Sequence, residues 1–187
     1  MSDTQRAADH AAQTRYQVRF DQGPAGARRI ARGADVLVWI DQVGVAVADH
    51  AVEVPDEVRR LAPVVLVAGL ADAAAVATWI LAEQERLGRR AYLAIAASGR
   101  ADGGFAADDV LAAGAVVDAL AGLGIDDTSP EAAVASAAFA GLRRAVAHLA
   151  TASVAGRAAV EDGADPAILR RAAQHAADAD PRVVTPR

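Results

Sequence analysis

Val36-Leu37-Val38-Trp39-Ile40-Asp41 decides the fold. Its first five residues are the most apolar short run in the first half of the chain, and they read as a buried strand. The acid that closes the run falls where open α/β sheets keep their binding crevice, outside the carboxyl end of a strand. Working outward, Val64-Val65-Leu66-Val67-Ala68 is a second continuous apolar run, as expected of a strand covered on both faces. Tyr16 to Phe20 alternates apolar and polar side chains, and Ala91 to Ala97 reads as a further strand. Val183-Val184 is a candidate last edge strand.

Helix signals fill the intervals. Pro24 opens a helix to about Arg32, which Gly33 stops. Asp72 stands where it could N-cap a helix from Ala73 to Leu87, with Gly88 at the C-terminal cap. Ala107 to Leu123 is helical. Ser129-Pro130-Glu131 combines a cap, a first-turn proline and an acid at the positive end of the dipole, and starts a helix to about Leu149. Two shorter helices follow, over 153–162 and 166–177. Residues 42–63 read two ways: Val43, Val45 and Val47 alternate like a strand, while Asp56 to Leu61 fits one or two helical turns. Strands alternating with helices predict an α/β fold: three layers, a mostly parallel or mixed sheet flanked by helices, and a helical C-terminal third. Residues 1–14 are expected to be a flexible tail and residues 15–187 a single domain.

Composition narrows the chemistry. The 187 residues are 53% hydrophobic, with seven aromatics, so the core must be built from Ala, Val and Leu. Cysteine, lysine and asparagine are absent. That excludes disulfides, thiolate nucleophiles, Schiff-base lysines and a Walker-type phosphate loop. The net charge of −5 is spread along the chain and argues against nucleic acid as a partner. No apolar run approaches membrane-spanning length, and the polar start lacks a signal-peptide core. A cytoplasmic location without a membrane partner is the expectation, and alanine-rich helix faces are compatible with a homodimer.

The remaining chemistry rests on carboxylates, arginines and hydroxyls. The C-terminal strand ends should deliver Asp21, Asp41, the Gly69–Asp72 loop and the Ser98–Asp102 loop to one crevice, with Asp108 and Asp109 opening the next helix. Carboxylate oxygens suit Mg²⁺. A glycine-rich loop and helix N-termini suit a phosphate, and Arg100 or Arg157 could hold it. Each acid alone is also an ordinary turn former or cap. Ser98 follows a strand, but Ala96-Ala97-Ser98-Gly99-Arg100 is not the Gly-x-Ser-x-Gly elbow. His50, beside Asp49, is the one histidine kept as an acid–base candidate.

Several stretches, in order, resemble the 2-phosphosulfolactate phosphatase family of coenzyme M biosynthesis in its actinobacterial form. They are Asp21-Gln22-Gly23-Pro24-Ala25-Gly26-Ala27, Ala68-Gly69-Leu70, Ser98-Gly99-Arg100, Asp108-Asp109-Val110-Leu111-Ala112-Ala113-Gly114-Ala115, Ser129-Pro130-Glu131-Ala132 and Ala155-Gly156-Arg157. The resemblance implies an α/β Mg²⁺-dependent phosphatase acting on a small phosphorylated acid. It points to Asp41 and Asp109 as catalytic, and to Asp21, Asp41 and Asp108 as metal ligands. Gly69, Gly99, Gly156 and Arg157 would contact substrate, joined by Arg100 from the reading of the loop itself. The expected mechanism is attack of Mg²⁺-polarised water on a phosphate monoester. Asp41-Gln42-Val43-Gly44-Val45-Ala46-Val47 departs from the family pattern by lacking its hydroxyl residues, and a middle region of several dozen residues is missing. The alternative expectation is therefore a catalytically degenerate anion-binding or oligomeric scaffold of the same fold.

Overall fold

Val36–Ile40 forms strand β2, each of its five residues buried, in a computed structural model that describes residues 7, 9–47, 52–174 and 181–184. The other strands are β1 (Val18–Gln22), β3 (Val64–Ala68), β4 (Leu93–Ala97) and β5 (Arg182–Val184). They make one five-stranded sheet in the order β1-β4-β2-β3-β5. The first four are parallel, and β5 adds antiparallel to the β3 edge. Gln22 and Ile40 both pair with Ala97, and Ile40 pairs with Ala68, so the four parallel strands end flush.

The helices α1 (Gly23–Ile30), α2 (Gln42–Val47) and α3 (Asp56–Arg59) belong to the connections leading from β1 to β2 and on to β3. Helix α4 (Ala73–Leu87) then carries the chain back from β3 to β4, and α5 (Ala107–Gly122) follows β4. Reversing the direction of travel while keeping a right-handed crossover moves the helix to the opposite face. The burial pattern agrees. Leu37, Trp39, Val65 and Val67 pack with Ala27, Ile30, Val45 and Val58 on one face. Val36, Val38, Ile40, Leu66 and Ile95 pack with Val76, Ile80, Val116 and Leu120 on the other. These are the three expected layers. β2 and β4 are neighbours whose chains leave toward opposite faces, and the gap between their C-terminal ends is a switch-point crevice.

The C-terminal third is helical: α6 (Pro130–Leu142), α7 (Val146–Ala152), α8 (Val154–Glu161) and α9 (Pro166–Ala172). Ser129 caps α6 by accepting from the Ala132 N–H at 3.1 Å, and Gly88 closes α4 with φ +64°. Several boundaries differ from the sequence reading. Val43, Val45 and Val47 lie in a helix, because Gln42 and Val45, three apart, turn inward together at the end of β2. The helix begun at Pro130 stops at Leu142 and a new one starts at Val146, so it does not reach Leu149 unbroken. Asp72 takes the N-cap position of α4, but its side chain makes no capping bond to that helix. It is the last residue of a short 3₁₀ turn, Leu70–Asp72, and accepts from the Gly69 N–H at 2.8 Å. The tail expected over residues 1–14 is not loose at its end: Gln13 is buried, and its side chain donates to the Phe20 carbonyl at 2.8 Å and accepts from the Phe20 N–H at 3.0 Å. That expectation for residues 1–6 and 8, the His50 assignment and the helix extension over 175–177 lie outside the described residues.

Arg19 shows how a charge is accommodated in this core. It is 2% exposed, and its guanidinium donates to the carbonyls of Tyr16, Ile30 and Arg32, tying β1 to the C-terminal end of α1. The Tyr92 ring lies 5.5 Å from the same guanidinium. Burial lowers the Arg19 pKa, with Tyr92 and Asp35 opposing that shift.

Candidate functional site

Asp109 lies at the centre of the crevice. It sits in the first turn of α5, is 3% exposed, and is clasped by both strand exits. Its Oδ1 accepts from the Gln42 N–H, just past β2, at 2.9 Å. Its Oδ2 accepts from the Gly99 N–H at 3.0 Å and the Ser98 hydroxyl at 2.9 Å, just past β4. Gly99 makes this approach with φ +75°, a left-handed conformation that favours glycine. Burial, with neighbouring Asp108 adding repulsion, pushes the Asp109 pKa up to about 7 despite these donors.

Asp108 is 2% exposed, and neither of its carboxylate oxygens has a hydrogen-bond partner. The nearby Ser153 hydroxyl donates instead to the Ala150 carbonyl at 3.4 Å. Burial raises the Asp108 pKa; its own backbone N–H and the Ser153 hydroxyl lie near enough to oppose that rise without completing a hydrogen bond, and Asp41 adds to it. Asp41, at the exit of β2, accepts from the Gly44 N–H at 2.7 Å, and burial raises its pKa too. A buried carboxylate without a donor is costly unless it is protonated or meets a cation.

Asp41, Asp108 and Asp109 line one cavity of about 480 Å³. Ser98, Gly99, Arg100 and Asp102 form its loop side. Val154, Ala155, Ala158, Ala159 and Asp162 form its helical wall, the spacing of a single face of α8 extended by one residue to its C-cap. Arg100 is ion-paired with Asp102 in the same loop. A second cavity of about 470 Å³, lined in part by Phe139, Arg143 and Val146, contains none of the expected site residues.

Of the expected residues, Asp41, Asp108, Asp109, Gly99 and Arg100 are thus brought together. Four are not. Asp21 ends in an ion pair with Arg29 at 2.9 Å and is absent from the cavity lining. Arg157 is exposed, on the side of α8 away from residues 154, 155, 158 and 159. Gly69 is a packing glycine: a Cβ there would stand 2.8 Å from the Gln42 side-chain oxygen. Gly156 is another, since a Cβ would run into the Ala150 carbonyl oxygen.

The sequence reading missed Gln42. It is 1% exposed, its side-chain oxygen accepts from the Leu70 N–H at 2.7 Å, and its amide donates to the Ala172 carbonyl at 3.2 Å. One side chain thereby joins the β2 exit, the β3 exit and α9. An amide directly after a buried apolar run was the available signal. The α8 wall was also missed, and only its pattern of small apolar residues marked it.

The expected ion was Mg²⁺. Among the described residues no three acidic or histidine side chains gather closely enough to ring a metal ion. Asp41 and Asp108 are a pair of carboxylates on one cavity, and the orphaned oxygens of Asp108 are the feature that fits a hard cation. Mg²⁺ commonly takes one or two carboxylates and retains several waters. No protein-family model matches the chain, and no curated protein matches it.

Proposed function

We infer that the crevice between β2 and β4 is a Mg²⁺-assisted site for hydrolysis of a small phosphate monoester. The observation that carries this reading is Asp108, buried beside the cavity with both oxygens unpartnered and with Asp41 close enough to raise its pKa. The sequence resemblance to 2-phosphosulfolactate phosphatases supports the same reading. Asp41 and Asp108 would hold the ion, which supplies neutralising charge for the phosphoryl oxygens. Arg100, at the cavity side, presents its guanidinium to the phosphate by exchanging Asp102 for the ligand. Asp109, gripped by three donors, holds or releases a proton at Oδ2. The small side chains of α8 leave room for the ligand on that side of the cavity.

The test is phosphate release from a panel of monoesters with and without Mg²⁺. Turnover that requires the ion is expected. If no ester in the panel is cleaved under either condition, the hydrolase reading falls.

A second reading is a non-catalytic binding or scaffold protein. Two observations favour it: Arg157 faces away, and among the described residues the cavity sets Asp41, Asp102, Asp108, Asp109 and Asp162 against Arg100 alone. Thermal stabilisation by phosphate or Mg²⁺ without turnover would identify it.

A further inference from the structure

In the reading above the Ser98 hydroxyl serves only as a donor to Asp109, yet it lines the cavity beside that acid. Ser98 follows the last residue of β4, and its N–H donates to the Ile40 carbonyl at 2.7 Å, which extends the β2–β4 ladder by one bond. That bond fixes the Ser98 backbone on a rigid strand end, the kind of support that catalytic side chains need. The side chain lines the cavity and points its hydroxyl at Asp109 Oδ2, 2.9 Å away. Asp109 is itself locked by the Gln42 and Gly99 N–H groups. A hydroxyl, a carboxylate within hydrogen-bond reach, and further groups orienting that carboxylate satisfy the general geometry of an activated nucleophile.

We propose that Ser98 is the nucleophile of this site and Asp109 its proton acceptor, so that the phosphoryl group passes through Ser98 before water. In the first step the Ser98 Oγ–P bond forms as the ester P–O bond breaks. The hydroxyl proton moves to Asp109 Oδ2, and the departing alkoxide takes a proton from solvent water and leaves as the alcohol, with hydroxide left in the solvent. In the second step water attacks the phosphoserine. The Oγ–P bond breaks as the Ser98 oxygen takes back its proton from Asp109 Oδ2, the proton of the attacking water passes to the hydroxide left in the first step, and inorganic phosphate leaves. This assignment rests on the phosphomonoesterase reading for its substrate but not for the reactivity of the hydroxyl.

Two measurements separate the two claims. The first treats the intact protein with an alkyl fluorophosphonate, in which Oγ displaces fluoride without any monoester. Mass spectrometry should place the phosphonyl group on Ser98, with no label in Ser98→Ala. Labelling should be at least tenfold slower in Asp109→Asn, its fold checked by circular dichroism. The second measures phosphate release by Ser98→Ala, expected to fall about a thousandfold while the variant keeps the wild-type melting temperature within a few degrees. If Ser98 is labelled but no monoester is cleaved by the wild type, the nucleophile stands and the phosphatase reading fails. If the wild type cleaves monoesters and Ser98→Ala does so equally well, the phosphatase reading stands and the nucleophile is overturned. Failure of the fluorophosphonate to mark Ser98 in the wild type also overturns it.

Discussion

The Gln42 backbone N–H meets Asp109 Oδ1 at 2.9 Å, so the first residue past β2 is seated on an acid from the helix that follows β4. Burial holds that acid up at about 7 in the folded protein, above its ordinary value of 3.8. A raised carboxyl pKa stabilises the fold below the unfolded value, and that contribution is lost as pH climbs through the folded one. The stability of wild type relative to Asp109→Asn should therefore decline between about pH 4 and pH 7, by roughly 1 kcal/mol per pH unit, and level off above. Urea titrations of both proteins at several pH values check this. A difference independent of pH would mean that Asp109 ionises normally.

Mg²⁺ should raise the melting temperature of the wild type, by an amount corresponding to about 2.7 kcal/mol when the ion is at one hundred times its Kd. Asp41→Asn and Asp108→Asn should lose this shift. Asp21→Asn should keep it, since Asp21 is engaged by Arg29 away from the cavity. Loss of the shift in Asp21→Asn with retention in Asp108→Asn would contradict the assignment.

The two arginines should separate cleanly. Arg100→Ala removes the cation of the cavity and should raise KM for a phosphate monoester roughly tenfold, the worth of one charge-assisted contact. Arg157→Ala, exposed on the far side of α8, should leave both KM and kcat unchanged. Steady-state phosphate assays on the two variants decide the matter, and equal effects would place Arg157 at the ligand after all.

Gly156→Ala should destabilise the protein by about 1–3 kcal/mol, because the added methyl meets the Ala150 carbonyl rather than open space. A reduced urea midpoint with an unchanged slope is the expected signature. Gly141→Ala serves as the control, since a Cβ there has nothing within 4 Å.

Arg19→Met should cost about 3 kcal/mol, since it strips the buried carbonyls of Ile30 and Arg32 of their donor. Arg19→Lys should recover only part, as a single ammonium cannot reproduce the guanidinium fork. An Arg19→Met protein as stable as wild type would show that water replaces the guanidinium at no cost.

What the sequence made legible depended on how local each signal was. β2, β3 and the Gly88 cap were readable because an apolar run or a left-handed glycine is decided by a few adjacent residues. The Val43, Val45, Val47 alternation misled because the packing of Gln42 and Val45 against distant segments overrode a period of two. At the site, Asp41, Asp108 and Asp109 could be found because each borders a recognisable strand end or helix start. Gly69 and Gly156 could not be read correctly, since their reasons are the side chain of Gln42 and the carbonyl of Ala150. Asp21 likewise looked equivalent to Asp41 until Arg29 was seen to hold it.

Gln42 and the α8 wall also fix an order of assembly. Synthesis proceeds from the N-terminus, so all four parallel strands are made before residue 98, and the acids of α5 soon after. Their cover over 154–162, and the Ala172 carbonyl that docks onto Gln42, emerge later. A nascent chain thus carries its carboxylates bathed in solvent, with ordinary acidity. The arrival of the last helices completes the enclosure in which burial raises the acids of the pocket, so that enclosure belongs to the finished protein.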